Sequence, residues 1–280
     1  MTKIVYIHII LIILCALVTA QDNKADGNSN IAEKYKKAFE LVKFPSEKEY
    51  KKYLDKGGYD KKVIQLVLGK DIWVEAFQKI DGKVGLFKES VPINVLIKEK
   101  IGAPAQGGSI RIGKDVRGHI EFSVYDMGQA IQIYERVERS GIKGASATDP
   151  RRAIVHELTH VFQSVIKSGI KPDWLSEGMA TYVEDDMVKV LSYRDRFINR
   201  KVPAIDENIS LFDGYPRGWL LFKYMEVNYG VDKVHEFSKV WVVKGKTYRE
   251  ALETATTKKW DEVKKEEQEW STKYLKELKE

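Results

Sequence analysis

The sequence predicts an α+β protein in which a small mixed or antiparallel sheet precedes a mostly helical half. Short runs rich in β-branched residues lie between residues 91 and 124 and are separated by glycines. After Met127, apolar residues recur at helical spacing almost to the end of the chain. No repeat or linker interrupts residues 31–280. We therefore expect one domain there, strand-rich at about 91–124 and helical at about 149–280.

The first 20 residues have the pattern of a secretory signal peptide. Lys3 precedes an apolar run from Ile4 to Leu17, and Val18-Thr19-Ala20 supplies small residues for cleavage. The run is shorter than the ~20 residues of a membrane-spanning helix, so an uncleaved anchor is the less favoured alternative. We expect a secreted or extracytoplasmic protein without stable membrane insertion, in which residues 21–30 form a flexible polar lead-in.

The composition of the chain excludes some classes of protein to which it could otherwise belong. The single cysteine, Cys15, lies inside the predicted signal peptide, so the mature chain has no disulfide framework. Loss of residues 1–20 removes only the charge of Lys3, which lowers the formal net charge from +6 to +5. Basic and acidic residues are interspersed, which argues against a nucleic-acid partner. The remaining chain is long enough for a hydrophobic core of its own, and we expect a monomer.

Helical spacing predicts two helices before the sheet, at Ile31–Lys43 and Glu47–Leu54, the second capped by Ser46. Gly57-Gly58 interrupts this pattern, and the following residues to about Lys88 have mixed character. Three short strands are then expected, at Pro92–Ile97, Ser109–Ile112 and His119–Val124.

The helical half begins with a clear start signal. Asp149 as N-cap and Pro150 at the first position predict a helix that Gly169 ends, with Pro172 shortly beyond. Further helices are expected at Trp174–Val188 (capped by Asp173), Tyr215–Val227, Asp232–Val243, Thr247–Thr256 and Trp260–Leu278.

His156-Glu157-Leu158-Thr159-His160 lies in the middle of the first of these helices. Residues four apart share one face of a helix, so His156 and His160 can bind a single Zn²⁺ through their ring nitrogens. Glu157 lies farther round the helix and can reach a water on the metal more easily than the metal itself. The pattern alone also fits an amphipathic helix that carries two ordinary histidines.

A catalytic zinc ion usually has three protein ligands and one open position. Gln163 and Ile166 occupy the positions at which the metzincin pattern requires Gly and His, which excludes that class. The candidate third ligand is Glu177, 17 residues after His160, a separation that allows a helix to end and an antiparallel neighbour to begin. An ordinary carboxylate at a helix N-terminus is the alternative interpretation of Glu177.

Trp174-Leu175-Ser176-Glu177-Gly178 resembles the W-L-x-E-G motif of the gluzincin metallopeptidases, whose first motif is HExxH. The resemblance implies that His156, His160 and Glu177 bind one zinc ion and that Glu157 is the catalytic base. It covers about residues 150–230 firmly and the last 50 residues loosely, where the chain looks like the peptidase MA-like proteins. Plant and bacterial basic secretory proteins are the nearest rival family.

Tyr215-Pro216-Arg217-Gly218 resembles the Tyr-x-x-Gly of gluzincins of the aminopeptidase-N type. This implies that the phenol of Tyr215 stabilises the tetrahedral intermediate, with simple core packing as the alternative. Those aminopeptidases grip the substrate's free amine with a Gly-x-Met-Glu-Asn segment. Gly107-Gly108-Ser109-Ile110 is the nearest run here and lacks the carboxylate, which favours cleavage within a chain.

The sequence therefore predicts a secreted zinc endopeptidase that acts on a peptide or protein. Two alternatives remain, an aminopeptidase and a non-catalytic cell-surface or cell-wall binding protein on the same scaffold. Glu157 favours the enzyme, because a purely structural zinc site uses four protein ligands and needs no base. A substrate strand could add to an exposed sheet edge, with Ser109–Ile112 or His119–Val124 as candidate edges. His119 and His235 are interpreted as ordinary histidines.

Overall fold

The α+β class is confirmed by the computed structural model, in which most residues are helical and four strands form one small mixed sheet. The predicted signal peptide (1–20) and lead-in (21–30) lie outside the described residues. The structure describes residues 33–113, 115–141, 147–206 and 208–278.

The N-terminal part contains more helix than predicted. The residues of mixed character form two further helices. Gly57, with φ of 72°, is the C-cap of one helix and the N-cap of the next, and Gly69 is the N-cap of the helix after that. The expected helix Ile31–Lys43 is wrong at its end, since Val42–Lys43 pairs in parallel with Ile93 and Asn94 as a short strand. The elements are α1 (33–40), β1 (Val42–Lys43), α2 (Glu47–Lys56), α3 (Gly58–Val67) and α4 (Lys70–Val84).

The sheet has the order β1-β2-β4-β3, with β2 at Ile93–Lys98, β3 at Ala105–Ile112 and β4 at Asp115–Ser123. β1, β2 and β4 are parallel, and β3 runs antiparallel to β4. The prediction that His119–Val124 is a candidate exposed edge is wrong, because β4 pairs on both sides. Among the described strands, β3 is the edge beside β4.

Eight α-helices follow the sheet in the described part of the chain. They are Val124–Ser140 (α5), Arg152–Ile166 (α6), Asp173–Glu184 (α7), Met187–Arg200 (α8), Leu211–Tyr229 (α9), Val231–Ser238 (α10), Tyr248–Thr256 (α11) and Trp260–Glu277 (α12). A π-helical turn, Lys239–Val243, continues from α10. None of the described helices has both the length and the apolar character needed to cross a bilayer.

Helix boundaries differ from the predictions where local capping decides them. The expected helix Trp174–Val188 ends at Glu184, because Asp185 adopts a left-handed conformation with φ of 59°. α9 begins four residues before Tyr215, since the Ser210 hydroxyl accepts the N–H of Asp213 at 3.2 Å. Tyr215 therefore lies in the second turn of its helix and does not open it.

The sheet packs directly on α6 through two glycines. A Cβ added to Gly118 of β4 would lie 2.5 Å from Val161 Cγ1, and one added to Gly107 of β3 would lie 2.4 Å from the Glu157 carbonyl oxygen. Both separations are far shorter than van der Waals contact, so only glycine allows the strands to approach this closely. The edge strand is thereby fixed against the helix that carries both histidines.

α12 is joined to α9 by a buried ion pair. Arg217, fully buried on α9, forms a bidentate pair with Glu267 of α12, which is also fully buried. The Arg217 Nε donates to the Pro203 carbonyl at 2.6 Å, and the Ser271 hydroxyl donates to Glu267 at 2.7 Å. Buried charges are tolerated when they are paired and hydrogen-bonded in this way.

Candidate metal centre and cleft

α6 holds the two histidines of the HExxH motif on one face. Its apolar residues recur at helical spacing and are buried, which fixes the rotation of the helix against the core. One turn separates His156 from His160, and their ring centroids are 4.8 Å apart. Their Nε2 atoms lie 3.1 Å from each other. The buried positions of α6 include Ile154, Val155, Leu158, Val161 and Phe162.

α7 brings Glu177 to the same point. Its Oε2 lies 3.1 Å from His156 Nε2 and 3.3 Å from His160 Nε2. Burial raises the pKa of Glu177, but hydrogen bonds with the two imidazoles outweigh this effect and hold the pKa below its ordinary value. The predicted third residue therefore lies beside the two histidines, across the turn between α6 and α7.

The three atoms have the spacing of a tetrahedral metal site. Metal–ligand bonds of 2.0–2.1 Å place the corners of a tetrahedron about 3.3 Å apart. The three separations between His156 Nε2, His160 Nε2 and Glu177 Oε2 are 3.1, 3.1 and 3.3 Å. Among the described residues, these three form a candidate metal site with the chemistry of a His₂Glu donor set.

α7 and α9 touch backbone to backbone through facing glycines. A Cβ added to Gly178 would lie 2.1 Å from the Gly218 Cα, and one added to Gly218 would lie 2.4 Å from the Gly178 Cα. One turn earlier on α9, a Cβ on Gly214 would lie 2.7 Å from the Trp174 Cα. No larger residue fits at this crossing without moving a helix. The glycine of the W-L-x-E-G motif thus has a packing role.

This close crossing brings Tyr215 of α9 to the candidate metal site. The Tyr215 ring stacks on the His156 ring, with centroids 5.8 Å apart and an interplanar angle of 26°. Its phenol is hydrogen-bonded to Glu177. Burial first, and then the negative charge of Glu177, raises the pKa of Tyr215 above its usual range, so the phenol remains protonated and can donate.

Glu157 points to the same space from the side of β3. The backbone N–H of Gly107 donates to its carboxylate. Burial raises the pKa of Glu157, whereas the charges of His156 and His160 and the Gly107 hydrogen bond lower it, and the net direction is upward. The edge strand thus fixes a carboxylate that is not among the three candidate ligands.

Two polar residues orient the histidines and were not identified from the sequence. The buried carboxylate of Glu184 has its Oε1 3.2 Å from His156 Nδ1. Gln163 Oε1 lies 2.9 Å from His160 Nδ1 and also accepts the Ser176 hydroxyl at 2.8 Å. Since Gln163 Oε1 is an acceptor, His160 carries its proton on Nδ1 and leaves Nε2 available to a metal.

Sequence spacing contained a signal for both of these residues. Glu184 follows Glu177 by seven residues, or two helical turns, and Gln163 follows His160 by three, so each lies on the face of its neighbour. The two histidines that were interpreted as ordinary have other neighbours. His119 Nε2 lies 3.2 Å from Glu121 Oε1, and His235 Nε2 lies 3.0 Å from the Gly82 carbonyl oxygen.

The candidate site opens into a cleft of about 710 Å³. β3 forms one wall, and α6, α7 and the start of α9 form the others, with lining residues that include Gln106, Gly107, Gln163, Ser164, Lys167, Asp173, Ser176 and Leu211. Comparison with known protein families, with curated proteins and with solved structures gives no match to this chain.

Proposed function

We propose that the protein is a secreted zinc-dependent peptidase of the gluzincin type that cleaves within peptide chains. The observation that carries this proposal is the donor set of His156, His160 and Glu177, whose three atoms have tetrahedral spacing. Glu157 and Tyr215 line the same cleft beside that set. A metal site with three protein ligands leaves one position open to water and substrate, which is typical of a catalytic zinc site and not of a structural one.

The donor chemistry fits zinc. Two imidazole nitrogens and one carboxylate oxygen form the set found in several zinc peptidases, and His156 and His160 are each oriented through Nδ1 by a polar neighbour. When bound there by His156, His160 and Glu177, Zn²⁺ would lower the pKa of a water towards ~7 and polarise the scissile carbonyl.

The remaining chemistry is assigned to this chain's own side chains. Glu157, oriented by the N–H of Gly107, accepts a proton from the attacking water and then delivers it to the nitrogen of the leaving amine. The phenol of Tyr215 donates a hydrogen bond to the carbonyl oxygen as negative charge develops on it. β3 offers an unpaired edge, among the described strands, to which a substrate can add main-chain hydrogen bonds.

The charges that line the cleft favour an endopeptidase over an aminopeptidase. Recognition of a free amino terminus requires an anionic group beside the scissile bond. Apart from Glu157 and Glu177, the described residues that line the cleft include one carboxylate, that of Asp173. The Lys171 Nζ donates to its Oδ1 at 2.8 Å and to its Oδ2 at 2.6 Å. The nearby Lys171 ammonium offsets part of the Asp173 charge, which weakens the attraction of this carboxylate for a substrate's amino terminus.

The proposal is tested by metal analysis combined with hydrolysis of casein and a defined peptide mixture. We expect one zinc per chain, loss of hydrolysis with a chelator and recovery on adding zinc. Mass spectrometry should show internal cleavage products. His156→Ala should lose the metal, whereas His235→Ala, which changes a histidine outside the cleft, should retain it. A zinc-loaded protein that cleaves none of these substrates would favour the binding-protein alternative.

Replacing Tyr215 with phenylalanine should lower kcat for peptide hydrolysis about a hundredfold, because one donor to the developing oxyanion is lost. KM should stay within about twofold, since the ring still stacks on His156 and the substrate ground state does not need the phenol. Steady-state kinetics measure both quantities. Tyr125→Phe, at a half-exposed tyrosine outside the cleft, is the matched control. Equal effects on kcat from the two changes would contradict the assigned role.

Replacing Glu184 with glutamine should weaken zinc binding by about 10- to 100-fold, because the carboxylate beside His156 Nδ1 orients that ring and strengthens it as a ligand. Competition with a fluorescent zinc chelator measures the affinity. The amide keeps the volume of the buried side chain, so the melting temperature of the metal-free protein should change little. Unchanged zinc affinity would show that Glu184 has no part in the site.

A further inference from the structure

One arm of the cleft runs from the candidate metal centre towards the end of α6. His160 and Ser164 lie one turn apart on the same face of α6, and Lys167, which follows the end of the helix in an extended conformation, lines the same cleft. Asp173 and Ser176 of α7 form the opposite wall. Lys167 follows His160 by seven residues, which places its Cα about 10 Å farther along the axis of α6. An extended peptide spans that distance with about three residues.

The lining of this arm is polar and its charge is positive. Lys167 is exposed and lines the cleft, and its Nζ donates to the Gly245 carbonyl at 3.1 Å. An ammonium has three donors, so this contact leaves capacity for another acceptor. On the facing wall, the charge of Asp173 is balanced by Lys171 at 2.6 Å. Lys167 therefore supplies the net charge of the arm.

We propose that this arm recognises a carboxylate of the substrate, with Lys167 as the residue that determines this specificity; the proposal rests on the proposed peptidase function. The carboxylate lies within about three residues of the scissile bond. An aspartate or glutamate side chain and the carboxyl terminus of a peptide both provide this group. Cleavage within a chain favours the side chain, and the experiment separates the two sources.

The test uses matched peptides that place glutamate or glutamine at each position within three residues of the scissile bond, each with a free or an amidated carboxyl terminus. We expect kcat/KM to be about tenfold higher for one glutamate peptide than for its glutamine counterpart. Lys167→Glu should remove or invert this preference, and Lys167→Gln should give an intermediate ratio. Lys88→Glu makes the same charge change at an exposed lysine that lines a different cavity, and should leave the ratio unchanged.

Amidation identifies the source of the carboxylate. A preference that persists in amidated peptides comes from the side chain, and one that disappears on amidation comes from the chain terminus. Either result supports the proposal when Lys167→Glu abolishes it. Equal kcat/KM for glutamate, glutamine, free and amidated peptides would overturn it, as would a preference that survives Lys167→Glu.

Binding separates this proposal from the peptidase proposal. Fluorescence anisotropy with labelled glutamate and glutamine peptides measures affinity for the zinc-loaded Glu157→Gln protein, in which no turnover is needed. Tighter binding of the glutamate peptide that is lost in the double variant with Lys167→Glu supports the recognition arm, even if the unmodified protein hydrolyses nothing. Equal binding of the two peptides overturns it, whatever the hydrolytic activity.

Discussion

Glutamine in place of Glu157 is expected to lower kcat for peptide hydrolysis by about three orders of magnitude. The amide has nearly the shape of the carboxylate and can still accept the N–H of Gly107, so the geometry of the cleft is preserved. An amide cannot take a proton from water at neutral pH, and the general-base step is lost. Because Glu157 is not one of the three candidate ligands, zinc content should remain at one per chain.

Hydrolysis of a quenched fluorescent peptide measures this loss, with elemental analysis of zinc on the same preparation. Glu89→Gln is the matched control, since it makes the same chemical change at an exposed glutamate outside the cleft. Its kcat should stay within about twofold of the unmodified protein. Full activity in Glu157→Gln would be incompatible with the proposed mechanism, and loss of zinc would mean that Glu157 belongs to the donor set.

Alanine in place of Gly178 is expected to lower the free energy of unfolding by about 3 kcal/mol, the upper part of the range for overpacked sites. The added methyl carbon would lie 2.1 Å from the Gly218 Cα, and the atoms in its way are backbone atoms. No rotamer change relieves that overlap, so α7 and α9 must separate. Glu177 and Tyr215 lie on these two helices, and zinc affinity and kcat should fall together with stability.

Chemical denaturation followed by circular dichroism measures the change in stability. Gly82→Ala is a matched control, because Gly82 lies within α4 and a Cβ there meets nothing within 4 Å. That change should stabilise the protein by up to about 1 kcal/mol through helix propensity. Gly218→Ala should resemble Gly178→Ala, since each Cβ would enter the same contact. Equal stability of Gly178→Ala and Gly82→Ala would refute the tight crossing.

Residues linked by short spacings along a helix could be predicted from the sequence. His156 and His160 had to share a face once their segment was recognised as a helix. The place of Glu177 beside the histidines was predicted from the W-L-x-E-G motif and from its separation from His160, which is long enough for a turn between antiparallel helices. The structure brings these three residues together. Their binding of zinc, and the role of Glu157, remain predictions.

Features that depend on pairing between distant segments could not be predicted in the same way. The periodicity of β4 is the same whether the strand lies in the centre or at the edge of the sheet, and its central place follows from parallel pairing with β2. Val42–Lys43 is too short to carry a periodicity, and its strand conformation depends on Ile93. Left-handed Asp185 likewise ended a helix that the apolar pattern alone would have continued.

The polar neighbours of the histidines mark an intermediate case. Glu184 and Gln163 lie at helical spacings from the candidate ligands, so their positions could be predicted from the sequence. Their contacts with the histidines could not be predicted, because many polar residues at such spacings face solvent. Burial of Glu184 and the Ser176 hydroxyl on Gln163 distinguish them, and both are properties of the packed molecule. Lys167 is similar, since its proximity to Gly245 depends on a loop 78 residues away.

The buried pair between Arg217 and Glu267 has a consequence for the order in which the protein becomes functional during synthesis. The ribosome completes every proposed zinc ligand, Glu157 and Tyr215 before it adds Glu267, which follows Arg217 by 50 residues. Until then, the guanidinium of Arg217, two residues after Tyr215, has no carboxylate partner with which it could be buried, and it stays in contact with water. We expect the nascent chain to possess the whole donor set and yet lack a firmly seated Tyr215, so that activity arises only after α12 has been made.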